Sequence, residues 1–96
     1  MIEIESEIGV SASVHYPNGE QMNIYRLSNG NIDVMLSSNG LTYITVNDVS
    51  AGDFTVSLAS LTEQAMQMGD SEGETYYHML RDMFSSCLVA MKGVIA

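Results

Sequence analysis

Apolar and polar residues alternate along the start of the chain. Ile2, Ile4, Ile8, Val10, Ala12, Val14 and Tyr16 fall on one side, and Glu3, Glu5, Glu7, Ser11, Ser13 and His15 on the other. A period of two with β-branched residues predicts a half-buried strand. A strand over 2–16 would be about 50 Å long at about 3.3 Å per residue, far beyond the usual length, so a bend or bulge is expected at Gly9. Pro17-Asn18-Gly19, Ser28-Asn29-Gly30 and Ser38-Asn39-Gly40 then recur at near-even spacing, and Asn-Gly marks hairpins because both residues tolerate positive φ. Three turns join four strands, the later ones over about 21–27, 31–36 and 41–47. Met22 and Ile24 change parity with Tyr25 and Leu27, so the second strand is expected to carry a bulge or to be covered on both faces.

The period then changes. Ser50 is placed to cap a helix, with Asp53 reaching back to it and Val49 packing on Phe54, and Phe54, Leu58, Leu61, Ala65 and Met68 form an apolar stripe that ends at Gly69. The spacing predicts a helix over 51–68. A fifth strand over 53–59 competes with it, because Phe54, Val56 and Leu58 also alternate and Ser60-Leu61-Thr62-Glu63 offers a second cap. An acidic turn over 69–75, with Asp70, Glu72 and Glu74, leads into a last helix over 74–95. Its apolar residues fill an arc of roughly 180°, whereas a helix lying on one sheet needs about 100°. The surplus predicts a second covering surface: a homodimer joined through Met79, Met83, Phe84, Leu88 and Met91. The fold class is therefore α+β, a single domain over 1–96 in which a four-stranded antiparallel meander (about 2–47) is followed by two helices packed on one face, in the order ββββαα.

Composition adds a sign to this architecture. Twelve acidic residues against three basic ones give a formal charge of -9 in a chain that is 46% hydrophobic. That hydrophobic content is ample for a folded core, while the charge opposes direct binding to nucleic acid or anionic membrane and favours a basic partner. The lone Cys87 excludes an internal disulfide and fits a buried thiol in a reducing, cytoplasmic setting. The first residues have neither the basic start nor the apolar run of a signal peptide and no apolar stretch reaches about 18 residues, so neither export by such a signal nor a membrane span is expected.

Candidate chemistry is sparse. Glu74, His78 and Asp82 share a helical face, but they span about 12 Å of axis, too far for one ion, and read as a solvated face with local pairing. His15 reads as a surface histidine on the polar side of the first strand. No phosphate loop, cysteine pair or nucleophile elbow occurs, so neither a cofactor nor a metal is expected and an enzyme is not. Eight methionines fit either a core or an adaptable binding face.

The sharpest electrostatic feature is Glu3, Glu5 and Glu7, which on a strand point the same way about 6.7 Å apart, close to the spacing of phosphates along a nucleic-acid strand. The bland alternative is a charged edge that discourages strand pairing. With the acidic turn at Asp70, Glu72 and Glu74, this row is the expected partner-binding surface of a non-catalytic protein that blocks or regulates a basic target. In size and charge the chain resembles the anti-restriction and anti-CRISPR inhibitors of phages and mobile elements. That class is defined by behaviour, so no residue role carries over. An immunity protein or chaperone masking a basic toxin or effector is the alternative, and a small enzyme or ligand-binding dimer the third.

Overall fold

Three Asn-Gly turns fold the first half of the chain onto itself. In a computed structural model, which describes the backbone of residues 10–95 and the side chains of 11–91, the strands are β1 (Val10–His15), β2 (Glu20–Arg26), β3 (Ile32–Ser38) and β4 (Leu41–Val49). They form one antiparallel sheet in sequence order, β1-β2-β3-β4. The extension of the first strand back to Ile2, and the bend expected at Gly9, lie outside the described residues.

The turns are not alike. In the first two only the glycine takes positive φ: Gly19 and Gly30, both at 92°. Tyr16 pairs with Glu20, and Leu27 with Asn31, across three-residue loops. Each loop is braced by its asparagine, whose side-chain oxygen accepts from the backbone N–H two residues on. The third turn has two residues, with Asn39 at 51° and Gly40 at 86°, and is the tight hairpin in which both centres are left-handed.

The change of parity in β2 resolves differently from either expectation. β2 pairs with β3 without a shift, and the bulge lies in β1, between Val10 and Ala12. Met22 and Ile24 face the helices, Tyr25 faces the outer side of the sheet, and Leu27 belongs to the turn. Ser11, the extra residue of the bulge, accepts the Arg26 N–H on its hydroxyl.

The second half is helical, without a fifth strand. Helix α1 runs Ala51–Gln67, with Ser50 as its cap accepting the Asp53 N–H at 3.0 Å. It ends on Gly69 in the left-handed region (φ 72°), with the N–H of Gly69 bonded to Met66 and that of Asp70 to Ala65. This crossed pair stops a helix at a glycine. Helix α2 runs Ser71–Ile95 and begins earlier than the pattern predicts, because Asp70 accepts the Gly73 N–H and caps it. The expected acidic turn is thus mostly the first turn of α2.

The sheet face built from Ala12, Met22, Ile24, Ile32, Val34 and Leu36 closes on Phe54 and Leu58 from α1 and on Leu80, Met83, Phe84, Cys87 and Met91 from α2. Phe54 and Phe84 meet edge to face with centroids 4.7 Å apart, a favoured aromatic geometry. Helix α2 packs chiefly on α1 and on β1 and β2. Its broad apolar arc is therefore used twice inside one chain. Of the residues expected at a dimer interface, Met83, Phe84 and Met91 are buried in this core, and Met79 and Leu88 are partly buried against it. Among the described residues, no helix is long and apolar enough to cross a membrane.

Candidate functional site

At one end of the molecule the β1–β2 turn comes against the first turns of α2. A groove of about 500 Å³ opens between them, lined by Asn18, Glu20, Glu72, Thr75, Tyr76 and Met79 together with Ser71. Glu20 starts β2, while Tyr76 and Met79 lie on consecutive turns of α2. Asn18 contacts the Met79 sulfur through its amide, 3.6 Å away.

A third element reaches this site from the far edge of the sheet. Leu36 pairs with Ile44 and Ser37 with Thr42, which leaves Tyr43 as the extra residue of a bulge in β4. Bulges re-aim a side chain, and this one sends the phenol back across the sheet. Tyr43 donates its hydroxyl hydrogen to Glu20 Oε1 at 2.8 Å, and its oxygen lies 2.6 Å from that of Tyr76. Each phenol has one hydrogen, so with that of Tyr43 given to Glu20, Tyr76 supplies the second bond.

Burial holds both phenols above their ordinary pKa. For Tyr43 the hydrogen bond it donates to Glu20 and the charge of that carboxylate add to it, and for Tyr76 the charge of Glu20 does. Both are neutral at physiological pH: Tyr43 donates to Glu20 and Tyr76 donates to Tyr43. The carboxylates of Glu20 and Glu72 beside an aromatic wall suit a cationic side chain, which gains from charge and from the face of a tyrosine ring. Among the described residues, no lysine or arginine lines the groove.

The acidic residues named from the sequence divide. Glu72 lines the groove. Asp70 is occupied in capping α2, and Glu74 lies 3.8 Å from His78 on the next turn. All three sit at the positive end of the helix dipole, which they stabilise whether or not a partner binds. Asp82 stands one turn beyond His78, and no three His, Cys, Asp or Glu side chains converge among the described residues. Glu3, Glu5 and Glu7 lie outside the described residues.

Sequence reasoning missed Glu20, Tyr43 and Tyr76. They are far apart in the chain, and the only local hint was that Leu41 and Tyr43 share one parity while Ile44 and Val46 take the other. Another polar cluster has a structural role. Asp48, at φ 56°, accepts the Asn29 and Asn31 amides at 3.0 and 2.9 Å, bonds that hold its carboxyl below its ordinary pKa, and donates its N–H to Asp33. It ties the β2–β3 turn to β4. Comparison with known protein families, with characterised proteins and with solved structures finds no match.

Proposed function

We propose that this is a small acidic, non-catalytic binding protein that blocks or regulates a basic macromolecular target. The observation that carries the reading is the groove at the head of α2, where Glu20 and Glu72 flank Tyr76 and no lysine or arginine among the described residues offsets them. The overall charge of -9 steers a basic partner from a distance, and the groove offers a place for one of its lysine or arginine side chains. Direct binding to nucleic acid or to an anionic membrane runs against the same charge. A role as a nucleic-acid mimic, of the kind that phage and mobile-element inhibitors play, rests on the spacing of Glu3, Glu5 and Glu7 in the sequence.

The test is capture of partners from the native host with the wild-type chain and with the double variant Glu20→Gln, Glu72→Gln. A basic protein should be retained by the wild type, and the variant should associate with it several-fold more slowly and with a flatter dependence on salt. Equal association rates at low salt, or retention of acidic proteins only, would sink the reading. A mimic of nucleic acid should in addition be displaced by DNA or RNA, whereas an immunity protein should be held by its toxin regardless.

A further inference from the structure

We infer that Asn39, in the β3–β4 turn, is a site of self-modification at which the chain converts the asparagine to isoaspartate or aspartate with loss of ammonia, placing a new carboxylate beside Glu20. This goes beyond the binding role proposed above and needs no partner.

In an Asn-Gly pair the glycine nitrogen can attack the carbonyl carbon of the preceding side chain, because glycine has no Cβ to obstruct the approach. A bond forms between Gly40 N and Asn39 Cγ, the Cγ–Nδ2 bond breaks, and the amide proton leaves with Nδ2 as ammonia. The succinimide ring that results takes up a water molecule. Opening at Cγ gives aspartate, and opening at the main-chain carbonyl gives isoaspartate, whose main chain is one carbon longer. Water is the only co-reactant.

The chain has three Asn-Gly pairs, and hydrogen bonding separates them. In the first two loops the nitrogen that would attack is committed: the Gly19 N–H donates to Tyr16 and the Gly30 N–H to Leu27, each at 3.0 Å. Their asparagines are held as well. Asn18 accepts the Glu20 N–H and contacts the Met79 sulfur, while Asn29 accepts the Asn31 N–H and donates to Asp48. At the third turn, among the described residues, the Gly40 N–H has no backbone acceptor and the Asn39 carboxamide rests against Gly19 without a hydrogen bond. Asn39 and Gly40 are both exposed, so water reaches them.

The turn also has a route to the reactive geometry. Attack requires the Gly40 nitrogen to eclipse Cβ of Asn39, at ψ of about −120°, whereas a turn with two left-handed centres holds that angle near about +30°. Flipping the single peptide between Asn39 and Gly40 makes the change, and the product is the other common two-residue hairpin turn, whose first centre has ψ of about −120°. Ser38 and Leu41 stay paired through the flip. The Asn39 N–H keeps its bond to the Gly19 carbonyl at 2.9 Å, because it lies on the fixed side of the rotation. In the two longer loops the same flip would break the bond that the glycine donates.

The product alters the groove. Gly19 stands between Asn18 and Glu20, which both line it, and the Asn39 side chain rests on Gly19. A carboxylate there adds a negative charge at the rim, and isoaspartate lengthens the tight turn from which β4 runs to Tyr43.

Peptide mapping by mass spectrometry decides the matter, on the folded chain and on the same chain in denaturant after equal times in mildly alkaline buffer. In the folded chain Asn39 should convert several-fold faster than Asn18 and Asn29, and in denaturant the three should convert at comparable rates. Asn39→Gly, whose Gly-Gly pair suits the same turn, should lose the fast conversion and leave the slow ones unchanged. The converted chain, separated by anion exchange, should show shifted amide NMR signals at Gly19 and Glu20. No conversion of Asn39 in the folded chain, equal rates at the three asparagines, faster conversion of Asn18 or Asn29, or a fast conversion that persists in Asn39→Gly would each overturn the site. Unmoved signals at Gly19 and Glu20 would overturn its link to the groove.

Discussion

Met22, Leu36 and Ile44 lie in one row across the sheet and face the same side, yet they are 0%, 3% and 41% exposed. The difference comes from where the helices sit. Helix α2 lies over β1 and β2, and α1 packs mainly against α2, so cover runs out before β4. Residues of similar hydrophobicity thus do unlike things: at the β2 end they hold the fold together, and at the β4 end they leave a surface for something else. Burial, not residue type, decides which.

The comparison breaks most sharply on truncation. Met22→Ala should cost about 3 kcal/mol, as large-to-small changes in a closed core do, while Ile44→Ala, already partly solvated, should cost about 1 kcal/mol. Denaturant unfolding of the two variants measures both. Equal costs would mean that β4 is as well covered as β2. Met83→Glu should abolish folding, because it buries an unpaired charge among α2, α1 and the sheet, whereas a residue reserved for a dimer interface would accept the change in the monomer.

That last contrast shows what the sequence pattern could and could not carry. The meander was legible because each turn has its own chemistry, and the helices because Ser50 and Gly69 punctuate them. The breadth of the apolar arc on α2 was legible as well, but periodicity counts apolar positions without saying what covers them. Here α1 and the sheet share the arc, so the surplus assigned to a second copy at Met83, Phe84 and Met91 is used internally. The exposure of Ile44 was invisible for the converse reason: alternation names the inward face and is silent on how far a helix reaches across it. Of the groove the sequence named only Glu72, since Glu20, Tyr43 and Tyr76 meet only through a bulge.

The buried half has a pH signature of its own. Cys87 is 1% exposed, and burial pushes its thiol up from 9.0 to about 11. The folded state thus favours the protonated thiol. This contribution is intact below pH 9, fades as pH rises from there towards 11, and amounts to about 2 to 3 kcal/mol. Cys87→Ala should cost stability at neutral pH through the lost volume, yet lose less than the wild type between pH 9 and 11. Parallel losses in wild type and variant over that range would show that the thiol does not couple to alkaline unfolding.

Helix ends give a smaller effect. Ser50→Ala and Asp70→Ala each remove one side-chain acceptor from a first-turn N–H and should each cost about 1 kcal/mol. Melting curves of both variants measure the two costs.

The smallest effect is expected where the open and closed halves meet, at Tyr43. Tyr43→Phe keeps the ring over the sheet and removes only the hydroxyl that donates to Glu20 and accepts from Tyr76. Two hydrogen bonds in a closed core would cost several kcal/mol. Here Glu20 and Tyr76 both keep access to water, which takes up the vacated positions, so the net loss should be about 0.5 kcal/mol. The functional effect should exceed the structural one, because Glu20 loses the donor that fixes it and must be ordered when a cation arrives. Phenolate absorbance supplies an independent readout. The wild type has five tyrosines, of which Tyr43 and Tyr76 should ionise above the ordinary range, and the variant should retain one such late group among four. A stability loss as large as that of Met22→Ala would place Tyr43 in the closed half and remove the reason to regard the groove as a binding site.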